Sequence, residues 1–303
     1  MTIQPPAPGE PRRPHGPRDP GDAWVVAPDG RKYWGRFGAA GLLAHDPARG
    51  ILLQLRVEWS HHGGTWGLPG GALQQGESPV AAAVREAGEE AGVPAESVQV
   101  RATSVWELGF WRYTTVLAEV TEPFDPVISD HESLQLRWVE LDDVGALPLH
   151  PGFAAAWPRL RQLLEVRPVV VVDAANTVGA RPDGWWRDRK GAAERLLAHL
   201  NSLSETGVPA AFVGLAGTRW YPQWLVVLEG QAKGAARAPA PRVMVVDAPG
   251  EGDDEIVARA RQLADSGRHL VVVSADRGLR ARLPQEAVPL GPGRLWDLFD
   301  AQS

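Results

Sequence analysis

The chain has 303 residues, long enough for two domains, with 44% hydrophobic residues, 22% charged residues and a formal net charge of −6. It contains no cysteine, which excludes disulfides and thiolate chemistry. Residues 1 to 167 carry 15 Lys and Arg against 21 Asp and Glu, and residues 168 to 303 carry 16 of each, so no broadly basic nucleic-acid-binding surface is expected.

In chain order, Met1 to Asp22 is crowded with Pro, Gly and Arg and has no apolar core, which reads as a disordered tail rather than a signal peptide. No run of ~18 apolar residues occurs, so the protein is expected to be soluble and without membrane contact. The missing export signal points to the cytoplasm. A first domain is expected over 23–166. Ala39 to Ala44 and Ile51 to Val57 read as strands either side of a turn. A glycine-rich loop, WSHHGGTWGLPGG, leads into a helix over Pro79 to Ala91, with Ser78 as N-cap, Pro79 at the first position, and Gly92 and Pro94 as stop signals.

At about 100° per residue, Val80, Ala83, Val84, Ala87 and Ala91 form one apolar stripe. Arg85, Glu86 and Glu89 point away from it, with Glu90 at its flank. Carboxylates ~4 Å apart repel by ~4 kcal/mol at an effective dielectric of 20, so this cluster is a poor stability device unless a divalent cation sits among it. Hard oxygen ligands suit Mg²⁺ or Mn²⁺. Strands follow around Val98 to Trp106, Trp111 to Val120 and Leu134 to Leu141, the last after a polar loop, and then an amphipathic helix from Phe153 to Leu164.

Within GLPGGALQQGESPVAAAVREAGEEAGV, Gly71, Glu77, Arg85, Glu86, Glu89, Glu90 and Gly92 keep the spacing of a Nudix box, and seven such positions coincide by chance on the order of once in a million. The stretch resembles that of Nudix hydrolases, which cut the diphosphate of a nucleoside diphosphate linked to another group. The resemblance implies an α/β/α sandwich with a mixed sheet and a small-molecule nucleotide substrate. Glu86 is then the general base, or shares that role, with Arg85 orienting it. Glu89 and Glu90 are metal ligands beside Glu86, Gly70 and Gly71 lie against the phosphates, and Glu77 supports the helix start. Position 87, normally a larger aliphatic residue, is Ala. Glu132 sits where the family often supplies a further metal carboxylate, with Asp130 and Glu140 as rivals. His61 and His62 lie in a loop that could reach substrate, and Trp66, Trp106 and Trp111 read either as base-stacking or as core side chains.

A boundary near Val166 to Pro168 opens a second domain over 167–303. Apolar runs VVVVDAAN, PAAFVGL, WLVVLEG, VMVVDAPG and HLVVVSAD alternate with helices expected at Asp188 to Ser204, Asp253 to Ala264, Arg277 to Leu283 and Leu295 to Asp300. Such runs fit a mainly parallel sheet covered on both faces, where ligands meet the carboxyl ends of strands. Asp173, Asn176, Asp247, Asp253, Asp254 and Asp276 recur at those ends, and strand-end Asp residues also serve as caps. The pieces VDAAN, GDDEIV and SADRGLR resemble the NYN branch of PIN-like nucleases. That resemblance implies a PIN-like α/β domain with a metal site at Asp173, Asn176, Asp253 (or Asp254) and Asp276, supported by Ser274, and RNA as a partner. Arg181, Arg187 and Arg189 near Trp185 and Trp186, and Arg277, Arg280 and Arg282, read as RNA contacts or as solvated helix faces. The oligomeric state is open, a homodimer included.

Overall fold

The computed structural model describes residues 1–6, 19–60, 62–129, 131–182 and 184–302. His61, Asp130 and the middle of the N-terminal stretch lie outside the described residues. The chain divides into two compact units, Met1–Glu165 and Val166–Ser303.

In the first unit, β1 (Thr2–Gln4), β2 (Trp24–Val26) and β3 (Lys32–Trp34) form an antiparallel ladder. Thr2 pairs with Val26 and Gln4 with Trp24, so the reading of residues 1–22 as a disordered tail is corrected at this strand. The main sheet runs β10 (Ser133–Val139), β5 (Gly50–Arg56), β4 (Ala39–Asp46), β9 (Arg112–Val120), β8 (Val98–Glu107). It is mixed, because β4 and β9 run parallel while the other pairs are antiparallel. β4 and β5 pair at their hairpin end and then part. The glycine-rich loop fills the gap with two short strands, β6 (Trp66–Gly67) on β5 and β7 (Gly70–Ala72) on β4. The segment expected as loop is therefore partly sheet.

Helix α1 (Pro79–Ala91) has the expected bounds: Ser78 Oγ accepts from the Ala81 amide at 3.1 Å, and Gly92, at φ 64°, ends it in the left-handed region. A cap of this kind contributes about 1 kcal/mol. Its inner face is Ala82, Ala83, Ala87 and Ala91, all fully buried against Ala40, Leu42, Ala44, Val116 and Ala118 of the sheet. Alanine brings the helix axis close to the strands, so the small residue at position 87 fits this packing. α2 (Pro151–Glu165) places Leu163 and Leu164 beside Ala102 and Leu117, and Arg159 donates to the Ser104 hydroxyl.

In the second unit a five-stranded, wholly parallel sheet has the order β15 (Val243–Asp247), β14 (Gln223–Leu228), β11 (Pro168–Asp173), β16 (His269–Val273), β17 (Val288–Leu290). Every residue of β11 is buried, as expected for a central parallel strand. α6 (Gly252–Asp265) and α7 (Arg277–Arg282) put Ile256, Val257, Ala260 and Leu279 on one face. α3 (Ala174–Gly179), α4 (Arg189–Thr206) and α8 (Pro292–Asp300) complete the unit. PAAFVGL is not the strand expected of it: β12 (Val208–Pro209) pairs with β13 (Arg219–Trp220), and α5 (Ala210–Val213) follows until Gly214 ends it at φ 68°. The fifth strand comes instead from Val288–Leu290, an edge position where Pro289 is tolerated.

Candidate active site

The box acids do not all face solvent. Glu86 and Glu90 are buried, at 6% and 7% exposure, under β7. Glu86 fits because Gly71 has no side chain, since a Cβ there would stand 2.6 Å from the Glu86 carboxyl carbon; a Cβ on Gly70 would stand 2.3 Å from the Ala40 carbonyl oxygen, so Gly70 lets β7 lie close on β4. The Gly70 amide donates to Glu90 Oε2 at 2.9 Å, so β7 and α1 are tied at this point.

Arg85 organises the remaining carboxylates. Its Nε and Nη2 donate to Glu77 at 2.8 and 2.9 Å, its Nη1 to Glu86 at 2.8 Å and to Glu89 at 3.2 Å, and Nη2 also to the Ala72 carbonyl. The Glu77 hydrogen bonds, with the Glu86 charge, hold the guanidinium firmly protonated against its partial burial. Glu77 Oε2 also accepts from the Gln74 amide, which fixes the approach to the helix. Glu89 is the exposed member, with 54% of its side chain accessible. Among the described residues no three acidic or imidazole groups converge on one point as a ready cation cage. Arg85 occupies the space between Glu86 and Glu89, and Glu90 is turned to Gly70.

Strand register sorts the rivals for the further carboxylate. Ser133 pairs with Arg56 and Val139 with Ile51, which puts Glu132 at the end of β5 near β6 and Glu140 beside the β4–β5 hairpin, a strand length of ~20 Å away. The Gly70–Gly71 pairing to Gly41–Ala40 lies at the end of β4 far from that hairpin, so Glu132 shares the box end of the sheet. His62 is exposed at a positive φ of 58° and meets His150 edge-on at 4.7 Å. Trp66 is buried with Arg137 over its ring, and Trp111 is buried with Nε1 donating to the Trp34 and Gly35 carbonyls, whereas Trp106 is 47% exposed.

Two neighbours escape sequence reasoning. The Tyr113 hydroxyl oxygen stands 2.1 Å from where a Gly41 Cβ would be, and Gly41 pairs with Gly70. Burial pushes this phenol up, with Arg56 opposing and the Glu90 charge adding to the rise, so it remains a proton donor. Arg56 Nε is buried without a hydrogen-bond partner. Strand alternation gives each a face, but only the pairing of β4 with β9 and β7 brings Tyr113 to the box, while Arg56 comes from the far end of β5. His150 was likewise missed, since it lies 88 residues after His62 in the sequence.

In the second unit the strand-end residues gather at the carboxyl ends of β11 and β16, where chain direction across the sheet reverses. Asp173 is buried; its Oδ1 caps α3 at the Asn176 amide, 3.0 Å, and its Oδ2 accepts from Ser274 Oγ at 2.8 Å. Asn176 Oδ1 accepts from the Ala275 amide at 2.7 Å, and Asp276 caps α7 at Leu279. Capping thus uses one oxygen of Asp173 and one of Asp276. Burial pushes Asp173 up, with Asp253 and Glu229 adding repulsion. Asp253 is raised by burial and by Asp276, Glu229 and Glu251, with Arg282 opposing. Asp254 turns instead to Arg282, and Asp247 to Arg237 at 2.5 Å, so Asp253 is the acid of its pair that faces the others. Glu229, at the end of β14, was not singled out from the sequence; it holds the α6 start through the Gly252 amide at 2.8 Å.

A mixed sheet whose box helix packs carboxylates against a paired diglycine strand defines a hydrolase acting on diphosphate bonds. The NUDIX domain family matches residues 35–163. "Putative 8-oxo-dGTP diphosphatase 3" of Mycobacterium tuberculosis is 53% identical over 154 residues, covering 48% of this chain and 70% of that protein. A "Nucleoside triphosphate pyrophosphatase/Nudix hydrolase fusion protein" of Bifidobacterium longum is 41% identical over 154 residues, 48% of this chain and 32% of that protein. The crystal structure of the Nudix hydrolase RenU from M. smegmatis is 52% identical, covers 48% of this chain and 95% of its own, and has a TM-score of 0.44. The chain belongs to the Nudix hydrolases, a family that works with divalent metals. Residues 166–303 lie beyond the matched stretch. Among the described residues no helix is long and apolar enough to cross a membrane.

Proposed function

We propose that the first unit is a Mg²⁺- or Mn²⁺-dependent pyrophosphohydrolase that cleaves a nucleoside triphosphate or related nucleotide to a nucleoside monophosphate and a second phosphorylated product. The observation that carries this reading is the packing of Glu86 and Glu90 onto Gly71 and Gly70, with Arg85 joining Glu77, Glu86 and Glu89. The similarity to a protein named as an 8-oxo-dGTP diphosphatase supports nucleoside triphosphates as the first class to test. Glu86, Glu89 and Glu90 would hold the cation, with Glu132 at the same sheet end. The donor set fits, being all hard carboxylate oxygen. When bound, such a cation neutralises phosphate charge and lowers the pKa of water at the site. Arg85 orients the Glu86 carboxylate, which takes the proton of the attacking water. Tyr113 and Arg56 supply a donor and a positive charge on the floor beside Glu90, and His62 with His150 borders β6.

Turnover of a nucleotide panel with Mg²⁺, run beside Glu86→Gln, tests this. The variant should lose about 10²- to 10⁴-fold in kcat, the range for a general base. Unchanged hydrolysis in Glu86→Gln removes the catalytic assignment of Glu86, whereas nucleotide bound without turnover by the intact protein leaves a nucleotide sensor.

A second reading concerns residues 166–303: a metal-dependent, NYN/PIN-like ribonuclease, with the first unit as nucleotide sensor or RNA-end hydrolase. It is favoured by one observation, the hydrogen-bonded gathering of Asp173, Asn176, Ser274 and Asp276 at the carboxyl ends of β11 and β16. Mn²⁺-dependent RNA cleavage that disappears in Asp173→Asn is the expected result; no cleavage by the intact protein rejects it.

A further inference from the structure

We propose that Trp185–Lys190 is a docking rim for single-stranded nucleic acid, with an unpaired base stacked on Trp186 and phosphates along Arg187, Arg189 and Lys190. This deepens the ribonuclease reading and rests on it for its purpose, though not for its test. The chain enters a single 3-10 turn, Trp185–Arg187, through Gly184 at φ 85°. The two indoles meet edge to face at 6.2 Å. Trp185 is the fixed half: it lies 3.6 Å from where a Gly179 Cβ would be and takes the Arg189 guanidinium over its ring at 5.5 Å. Trp186 is the presented half, 53% exposed.

The surrounding charge has the sign a polyanion needs. Arg181, Arg237, Arg259 and Arg282 of this unit are each on a carboxylate. Among the described residues neither Arg187 nor Arg189 has such a partner, and Lys190 is only loosely paired with Glu194 at 3.9 Å. The one acid inside the segment, Asp188, is engaged as the α4 cap at the Gly191 amide, 2.8 Å.

Topology puts this segment on the rim of the acid cluster. β11 and β14 are parallel, so α4 between them returns the chain from the carboxyl edge, and its first residues stand at that edge. The turn that follows Glu229 confirms the placement: Lys190 Cδ lies 3.9 Å from a Cβ position on Gly234, and the Ala236 amide donates to Glu194 at 2.8 Å. α3, capped by Asp173, ends at Gly179 under Trp185, ~9 Å of helix away. A strand stacked at Trp186 is then within a few nucleotides of Asp173, at ~3.4 Å of rise each. A duplex has no free base face to offer, and stacking on a lone indole is indifferent to base identity.

The test measures binding of the full chain to a fluorescein-labelled 12-nucleotide oligouridine in EDTA, where no metal-dependent cleavage occurs. Trp186→Ala should weaken binding about 5- to 100-fold and Trp186→Phe should restore most of it. Arg187→Gln with Arg189→Gln should lower the salt slope by about 1.4. The same oligomer as a duplex should bind more weakly than the single strand. Equal affinity for Trp186→Ala and the intact protein, or tighter duplex binding, overturns the proposal. Loss in Trp186→Ala with no cleavage by the intact protein in Mn²⁺ keeps the docking rim and removes the nuclease reading alone.

Discussion

The two units treat clustered carboxylates in opposite ways. In the first, Arg85 stands inside the group and pairs with Glu77, Glu86 and Glu89, so the box helix holds its acids with an internal cation. In the second, Asp173, Asp253, Asp276 and Glu229 share one rim, and Arg282, the guanidinium that offsets Asp253, is on Asp254. Asp46 of the first unit shows the same contrast singly: burial raises it, yet the Ala48 amide and Arg49 outweigh this and hold it below its usual range. A paired acidic site is stable before its ligand arrives, and an unpaired one is stabilised by it.

The largest effect that would sharpen this contrast comes from the diglycine. A methyl at Gly71 meets first the Glu86 carboxyl, the end of a movable side chain, whereas one at Gly70 meets the Ala40 carbonyl on the neighbouring strand. Gly71→Ala should therefore displace the proposed base and leave the fold, with kcat down about 10²-fold and thermal stability near that of the intact protein. Gly70→Ala should cost about 1–3 kcal/mol of stability by overpacking β7 on β4. Paired melting curves and turnover numbers separate the two. Similar losses of activity and stability in both would mean that Glu86 is held by packing alone.

Legibility in the sequence followed the range of the interactions. α1 was readable to the residue because Ser78, Pro79 and Gly92 are local signals, and the β11 run because a central parallel strand is apolar on both faces. On a helical wheel Glu86 points away from the apolar stripe and Glu90 sits at its flank, yet both are buried, since the wheel cannot show that Gly71 leaves room for Glu86 or that the Gly70 amide holds Glu90. Thr2–Gln4 pairs with residues 20 to 24 positions away with no local mark, and Val288–Leu290 is too short, with a proline inside, to read as a strand. The short helix at Ala210–Val213 turns on the positive φ available at Gly214. Glu229, Tyr113, Arg56 and His150 are ordinary residues until register and strand order place them.

The smaller effect tests the second half of the comparison through pH. Asp173 and Asp253 titrate above the ordinary 3.8 when folded, so the folded unit binds more protons than the unfolded chain over that interval. Its stability must fall as pH rises from about 3.8 through the raised values, the reverse of the contribution from Asp46, which is lost as pH falls through its lowered one. Asp253→Asn removes one repelling charge beside Asp276 and Glu229. Hydrogen exchange read separately over Val166–Ser303 should show this variant more protected than the intact protein at pH 7, with a flatter pH dependence. Mn²⁺ should protect the intact unit and do less for the variant, because binding to the folded form alone adds stability in proportion to the logarithm of ligand over Kd. Equal protection of the two proteins, with and without Mn²⁺, would mean that the rim acids are screened helix caps and that the contrast between the units is one of sequence only.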